Sequence, residues 1–209
     1  MNLHRYGYLI NERKILPVIV EQFQIKCDKE DMPYLKDQLD YRFDNSVLFP
    51  IFDLYGEPIT VSARRFNIKP KYMHTVYEKS KHLFGLNYSY KDILEKDEVF
   101  IVEGAFDYLQ MYQNGFKNVV CVLGSALTMR QICLLLRFTN NLCCIPDGDQ
   151  AGEKSKIRVE KLLKGKGVNL RFVTLPDGYD PDTFILKFGP KKFSHLLYDN
   201  SLIKEENLI

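Results

Sequence analysis

The chain has 209 residues, 45% of them apolar and 27% charged, with a formal net charge of +2. That is enough apolar material for one large domain or two small ones, and too little net charge to argue for nucleic acid by itself. Five cysteines form no C-x-x-C pair, and no apolar run approaches the roughly 20 residues of a membrane span, so the composition predicts no zinc, no membrane partner and a cytoplasmic protein.

Residues 3–26 place Leu9, Ile15, Val18, Ile19 and Phe23 at helical spacing, with a break near Pro17. Val47 to Asp53 reads as a strand, Tyr55-Gly56-Glu57-Pro58 as a turn and Ile59 to Phe66 as the returning strand of an antiparallel hairpin. Residues 67–87 are basic and aromatic without a clean period, which predicts an ordered, loop-rich segment. The pattern changes near residues 88–97. Beyond Glu98 strands and helices alternate. Strands are expected over Val99–Val102, Val119–Leu123, Leu142–Ile145 and Leu170–Leu175. Helices are expected over Phe106–Asn114, from Thr128 through Phe138, and over Ala151–Lys164. Gly115 reads as a C-cap and Thr128-x-x-Gln131 as a capping box. This alternation implies parallel βαβ units with helices on both sheet faces.

In an open α/β sheet, ligands bind beyond the carboxyl ends of the strands. Glu103 follows the first of these strands, with Asp107 one helical turn later. Asp147 and Asp149 follow the third, and Asp180 and Asp182 lie beyond the fourth. A lone D-x-D is more often a turn or a helix cap than a ligand pair. Three acidic elements, each at a strand end, form a set that would repel itself without a counter-charge, and hard cations such as Mg²⁺ or Mn²⁺ prefer such oxygens. The glycines around them, Gly104, Gly124, Gly148, Gly152 and Gly178, are read as leaving room for phosphate. Residues 64–82 hold six lysines and arginines, including Arg64, Lys71 and Lys79, against the single acid Glu78. Aromatics interleave with them, as in segments that bind single strands and phosphates. The four histidines show no metal spacing. No P-loop and no nucleophile elbow is present.

Four blocks carry a family resemblance: Val102-Glu103-Gly104 with Asp107, Leu123-Gly124-Ser125-Ala126-Leu127-Thr128, Asp147-Gly148-Asp149-x-Ala151-Gly152, and Leu175-Pro176-x-Gly178-x-Asp180-Pro181-Asp182. Together they resemble a Toprim domain, and the last block is similar to DnaG-type bacterial and phage primases. The first half agrees: Phe49-Pro50-Ile51-x-Asp53, Arg64, Pro70-Lys71-Tyr72, Lys79 and Leu83-Phe84-Gly85-Leu86 resemble the start of the primase RNA-polymerase core.

The resemblance implies an α/β fold, a Toprim domain with a mostly parallel sheet flanked by helices, preceded by a smaller α+β subdomain. The implied division is 1–90, 91–190 and a tail or short helix over 191–209. It implies primer synthesis on a single-stranded DNA template from NTPs. Two Mg²⁺ or Mn²⁺ ions would be held by Glu103, Asp147, Asp149 and Asp180, with Asp107 and Asp182 supporting. Glu103 would act as a general base. Arg64, Lys71 and Lys79 would contact the incoming nucleotide or the growing duplex, and Arg13 the template. The family's zinc-binding and helicase-binding modules find no match here, so a replicative helicase and a separate zinc-binding module are expected partners, and the source is expected to be phage-like. Two rival readings are a Toprim nuclease and a primase-like subunit inactive without such a partner.

Overall fold

The structure is a computed structural model, and it describes residues 3–124 and 127–198. Ser125, Ala126 and residues 199–209 of the expected tail lie outside the described residues.

The N-terminal helix α1 (Leu3–Gly7) runs into a π-helical turn, Tyr8–Glu12. Helix α2 (Pro17–Gln22) starts at Pro17, where a fixed φ and a missing N–H cost nothing. Short 3₁₀ turns occupy much of residues 29–43. Strands β1 (Ser46–Phe52), β2 (Pro58–Arg65) and β3 (Tyr72–His74) form an antiparallel sheet in that order. The β1–β2 turn is closed by the Asp53 carboxylate, which accepts the Tyr55 and Glu57 amides at 2.8 and 2.9 Å. The register pairs Val47 with Arg64, Phe49 with Ser62 and Ile51 with Thr60. Because strand faces alternate, Val47, Phe49 and Ile51 turn one way into the main core, while Leu48, Val61 and Ala63 pack against Met32, Leu35 and Phe43.

Helix α3 (Leu86–Lys96) replaces the boundary expected near residues 88–97. Its polar residues hide the apolar period: Ser89 is buried and bonded to the Tyr108 hydroxyl at 3.1 Å. There follow β4 (Val99–Val102), α4 (Ala105–Gln113), β5 (Val119–Cys121), α5 (Met129–Leu135), β6 (Asn141–Cys144), α6 (Gln150–Leu163), β7 (Asn169–Phe172) and α7 (Pro181–Tyr198), which is kinked at Gly189. The four strands are all parallel, in the order β5-β4-β6-β7. One face buries Phe100, Val102, Val119 and Cys143 against α4, α7 and the N-terminal third. The other buries Val99, Ile101, Val120 and Leu142 against α3, α5 and α6. Both faces are therefore covered, as parallel sheets require.

The largest core draws on residues from both sides of residue 90. Phe23, 1% exposed, packs against Phe84, Tyr88, Tyr108 and Tyr112 at centroid distances of 6.3 Å or less. Burying one such ring contributes about 2–3 kcal/mol, so this cluster ties the start of the chain to α3 and α4, while Phe49 of β1 packs on Phe84 and on Phe106 of α4 at 6.3 and 5.4 Å and joins the antiparallel sheet to the same core. Among the described residues no helix is long and apolar enough to cross a membrane.

Candidate active site

The carboxyl ends of β4 and β6 and the loop after β7 bring the predicted acids together. Glu103 follows β4 directly. At the start of α4, Asp107 reaches back to accept the Gly104 amide at 3.0 Å and, with its other oxygen, the Asp182 amide at 3.1 Å. Asp149 caps α6 by accepting the Gly152 amide at 2.8 Å, and Asp180 caps α7 through the Thr183 amide at 2.7 Å and hydroxyl at 2.5 Å. The two acidic loops are laced by backbone: the Gly148 amide donates to Tyr179 O and the Gly178 amide to Gly148 O, both at 2.8 Å.

Gly148 and Gly178 carry this lacing, Gly148 and Gly152 are packed against backbone, and Gly104 and Gly124 line the cleft. A Cβ at Gly148 would lie 2.3 Å from Pro176 O, and one at Gly152 would lie 2.0 Å from Asp147 O. One at Gly104 would meet the Asp107 carboxylate at 2.6 Å, and one at Gly124 the Lys79 ammonium at 3.1 Å. Only Gly178 opens on free space.

Three carboxylate oxygens, Glu103 Oε1, Asp147 Oδ1 and Asp182 Oδ1, are buried without a hydrogen-bond partner. Burial, then Asp147 and Asp149, push Glu103 up to about 7, although Ser155 hydrogen-bonds it. Burial, then Asp180 and Asp149, push Asp147 up to about 6. Burial, Asp180 and Asp147 hold Asp107 well above the usual carboxylate range. Such a set of unpartnered, mutually repelling oxygens suits a hard divalent cation. Among the described residues no three His, Cys, Asp or Glu side chains already form a shell that could hold a metal ion.

These acids line one wall of a cleft of about 310 Å³, and Ser62, Lys71, Tyr72 and His74 of the antiparallel sheet and its loop line the other. Lys71 has its pKa lowered by burial and by Arg64 and Arg13. Lys79 stands behind the wall, its ammonium donating to His74 Nε2 at 3.1 Å. Burial and Lys79 push His74 down to about 4, so its imidazole is neutral at neutral pH. Arg64 is braced, its guanidinium over the Tyr8 ring at 4.4 Å and the Phe66 ring at 4.7 Å. Arg13 closes one end of the cleft in an ion pair with Asp182. Burial opposes the Arg13 charge, but Asp182 and the hydrogen bond to Tyr8 together more than offset it and raise the Arg13 pKa; burial pushes Asp182 up to about 6 although Arg13 pulls it down.

Residues 100–185 match the family model described as Toprim-like. The DNA primase of Clostridium acetobutylicum is 37% identical over 161 residues, which is 75% of this chain and 27% of that protein. A solved DnaG catalytic core superposes with a TM-score of 0.78 at 30% identity, covering 91% of this chain and 71% of that one. The chain belongs to the DnaG-type primase family. A DnaG primase catalytic domain solved bound to single-stranded DNA also superposes with a TM-score of 0.78, at 29% identity over 93% of this chain and 73% of that one. The chain spans about a quarter of the length of the curated relative it matches.

In this DnaG-type chain the cleft holds five of the six predicted acids; Asp149 lies outside its lining but close enough to act on Glu103 and Asp147. Of the predicted basic residues, Arg13 and Lys71 line it, whereas Lys79 and Arg64 stand one contact away. Sequence reasoning missed His74, which carried no metal spacing, and Ser155 and Gln110, which sit on helix faces with no local signal. The pairing of His74 with Tyr72 on the short β3 was the available clue: both point from one strand face toward the cleft.

Proposed function

We propose that the chain is a primase catalytic core that joins NTPs into short RNA primers on single-stranded DNA during DNA replication. The observation that carries this is the pair of buried, unpartnered oxygens Glu103 Oε1 and Asp147 Oδ1, set in one cleft with Lys71. Their chemistry fits Mg²⁺ or Mn²⁺, held by Glu103, Asp147, Asp149 and Asp180 with Asp107 and Asp182 in support. Bound there, such ions supply Lewis-acid stabilisation of charge on the transferring phosphoryl group.

The chain's own groups do the rest. Lys71 and, behind it, Lys79 offset phosphate charge, and the charge of an arriving anion counters the desolvation penalty that lowers both ammonium pKa values. Arg64, clamped between two rings, keeps a fixed positive potential beneath Lys71. Glu103, at the acidic end of the cleft, is also the group that would accept a proton from an attacking 3′-hydroxyl. In this reading residues 1–90 form the basic wall and residues 91–190 the acidic one. The template passes the cleft, as supported by the related catalytic domain solved with single-stranded DNA. A replicative helicase and a zinc-binding module are the partners this reading proposes.

The test is to incubate the protein with single-stranded DNA, four NTPs and Mg²⁺ or Mn²⁺, with and without candidate zinc-module and helicase partners. Short RNA products are expected. Cleavage of labelled DNA without RNA synthesis would instead establish the nuclease reading, and RNA made only with a partner would mark an incomplete core.

The raised carboxylate pKa values set a pH dependence. Glu103 and Asp147, near 7 and 6, must lose their protons to bind a cation, so protons compete as pH falls through those values. Mn²⁺ affinity, followed by calorimetry, is expected to fall about a hundredfold from about pH 7.5 to about pH 5.5. A flat profile would show that these two groups are not the ligands.

A further inference from the structure

The acids of the cleft differ in what they are already bonded to. At one end Glu103 Oε1 and Asp147 Oδ1 have no partner. At the other end the Asp182 side chain is 1% exposed and its Oδ2 is held by Arg13 Nη1, a residue 169 positions away in the chain. Arg13 is fixed on every side. Its Nε donates to the Tyr8 hydroxyl at 2.6 Å, its guanidinium lies 4.6 Å over the Phe106 ring, and its carbonyl accepts Gln110 Nε2 at 2.7 Å. Yet Asp182 Oδ1, equally buried, has no partner in hydrogen-bonding geometry, with Gln110 the neutral side chain that lies close enough to favour its charge. Half of this carboxylate is thus satisfied by an internal cation and half is still short of a partner.

We infer that Arg13 and a divalent cation compete for the Asp182 carboxylate, so that cation loading at this end of the acidic row requires the Arg13 ion pair to open. A dication brought to Asp182 with the guanidinium in place sets two positive centres against one carboxylate. Removing the guanidinium with nothing in exchange leaves a buried charge uncompensated. The two states that avoid both penalties are the Arg13-paired one and the cation-loaded one. Arg13 lines the same cleft as Lys71, so the displaced guanidinium is presented to an anionic ligand there, a phosphodiester or triphosphate. Linkage makes the effect reciprocal: an anion that captures Arg13 strengthens cation binding at Asp182. Arg13 is therefore a positioning residue that couples the two ligands. This rests on the reading of the acidic row as a cation site.

Electron paramagnetic resonance titration with Mn²⁺ counts the bound ions in the wild type and in Arg13→Gln. The wild type is expected to show a tighter class, at Glu103 and Asp147, and a weaker second class. In Arg13→Gln the second class is expected to tighten about tenfold or more. In parallel, Mg²⁺ titration of the wild-type protein is followed by the Arg13 Nε–Hε resonance, which should shift with the second binding event and not the first. This arm decides the matter if Arg13→Gln fails to fold. A second class unchanged or weakened in the folded variant, or an Arg13 resonance that stays still while the second ion binds, overturns the inference and leaves the cation site standing. Absence of any Mn²⁺ binding to the wild type overturns the cation site and the inference together.

Discussion

Glu103→Gln should melt higher than the wild type while losing primer synthesis. The carboxylate is held near pKa 7 by burial and by the charges of Asp147 and Asp149, and its Oε1 has no partner. In the ionised form it is a net cost to the fold, which a neutral side chain of the same shape removes. The sign follows from the shift. Its folded pKa lies above the reference 4.5, so the wild type is unpenalised below about 4.5, loses stability as pH rises toward 7, and carries the full penalty above that. The advantage of Glu103→Gln should therefore be absent at low pH and largest above neutrality. Because the group is partly solvated, the gain is about 1–2 kcal/mol, or a few degrees in melting temperature for a chain of this size. Loss of a ligand and proton acceptor should lower the synthesis rate about a hundredfold or more. Calorimetric melts across pH, paired with the primer assay, check both halves. A variant that melts lower at neutral pH would mean that Glu103 is a structural partner, and the active-site assignment would fail with it.

Gly152→Ala should damage the site from outside it. The added methyl would lie 2.0 Å from Asp147 O and 3.2 Å from Pro146 Cβ, and the first of these contacts is backbone that no rotamer change relieves. Either α6 slides or the Asp147-Gly148-Asp149 turn is pushed, and that turn is bonded through Gly148 to Tyr179 and Gly178. Overpacking of this kind costs about 2–4 kcal/mol, a fall of about 5–10 °C in melting temperature. Mn²⁺ affinity should fall with it, because Asp147 moves. Gly178→Ala is the matched control: its Cβ would meet nothing within 4 Å, and only its φ of +79° opposes a side chain, at a cost of about 1–2 kcal/mol. Equal losses in the two variants would show that the Gly152 contact does not hold the acidic turn.

Much of the architecture is local and was legible as such. The alternation of apolar runs beyond Glu98 corresponds to four parallel strands with helices on both faces. The Thr128–Gln131 capping box closes as written, with the Thr128 amide donating to Gln131 Oε1 at 3.0 Å. Helix α3 was not legible, because its buried Ser89 and its Tyr88 and Tyr90 obscure the 3.6-residue period. Strand β7 ends at Phe172 and not near Leu175, since the following segment leaves the ladder to reach Gly148.

The sequence by itself determined the fold class, the family and the placement of acids at strand ends, because strand periodicity, turn chemistry and motif spacing act over a few residues. Only the tertiary structure decided what each acid is bonded to. Asp149 and Asp180 spend an oxygen on helix caps, Asp107 spends both on backbone amides, and Asp182 is shared with Arg13 from the other end of the chain. These partnerships join residues up to 169 positions apart, and their strength depends on burial that no local pattern records. For the same reason the close packing of Gly148 and Gly152 against the Pro176 and Asp147 carbonyls was not legible in the spacing of the acidic loops.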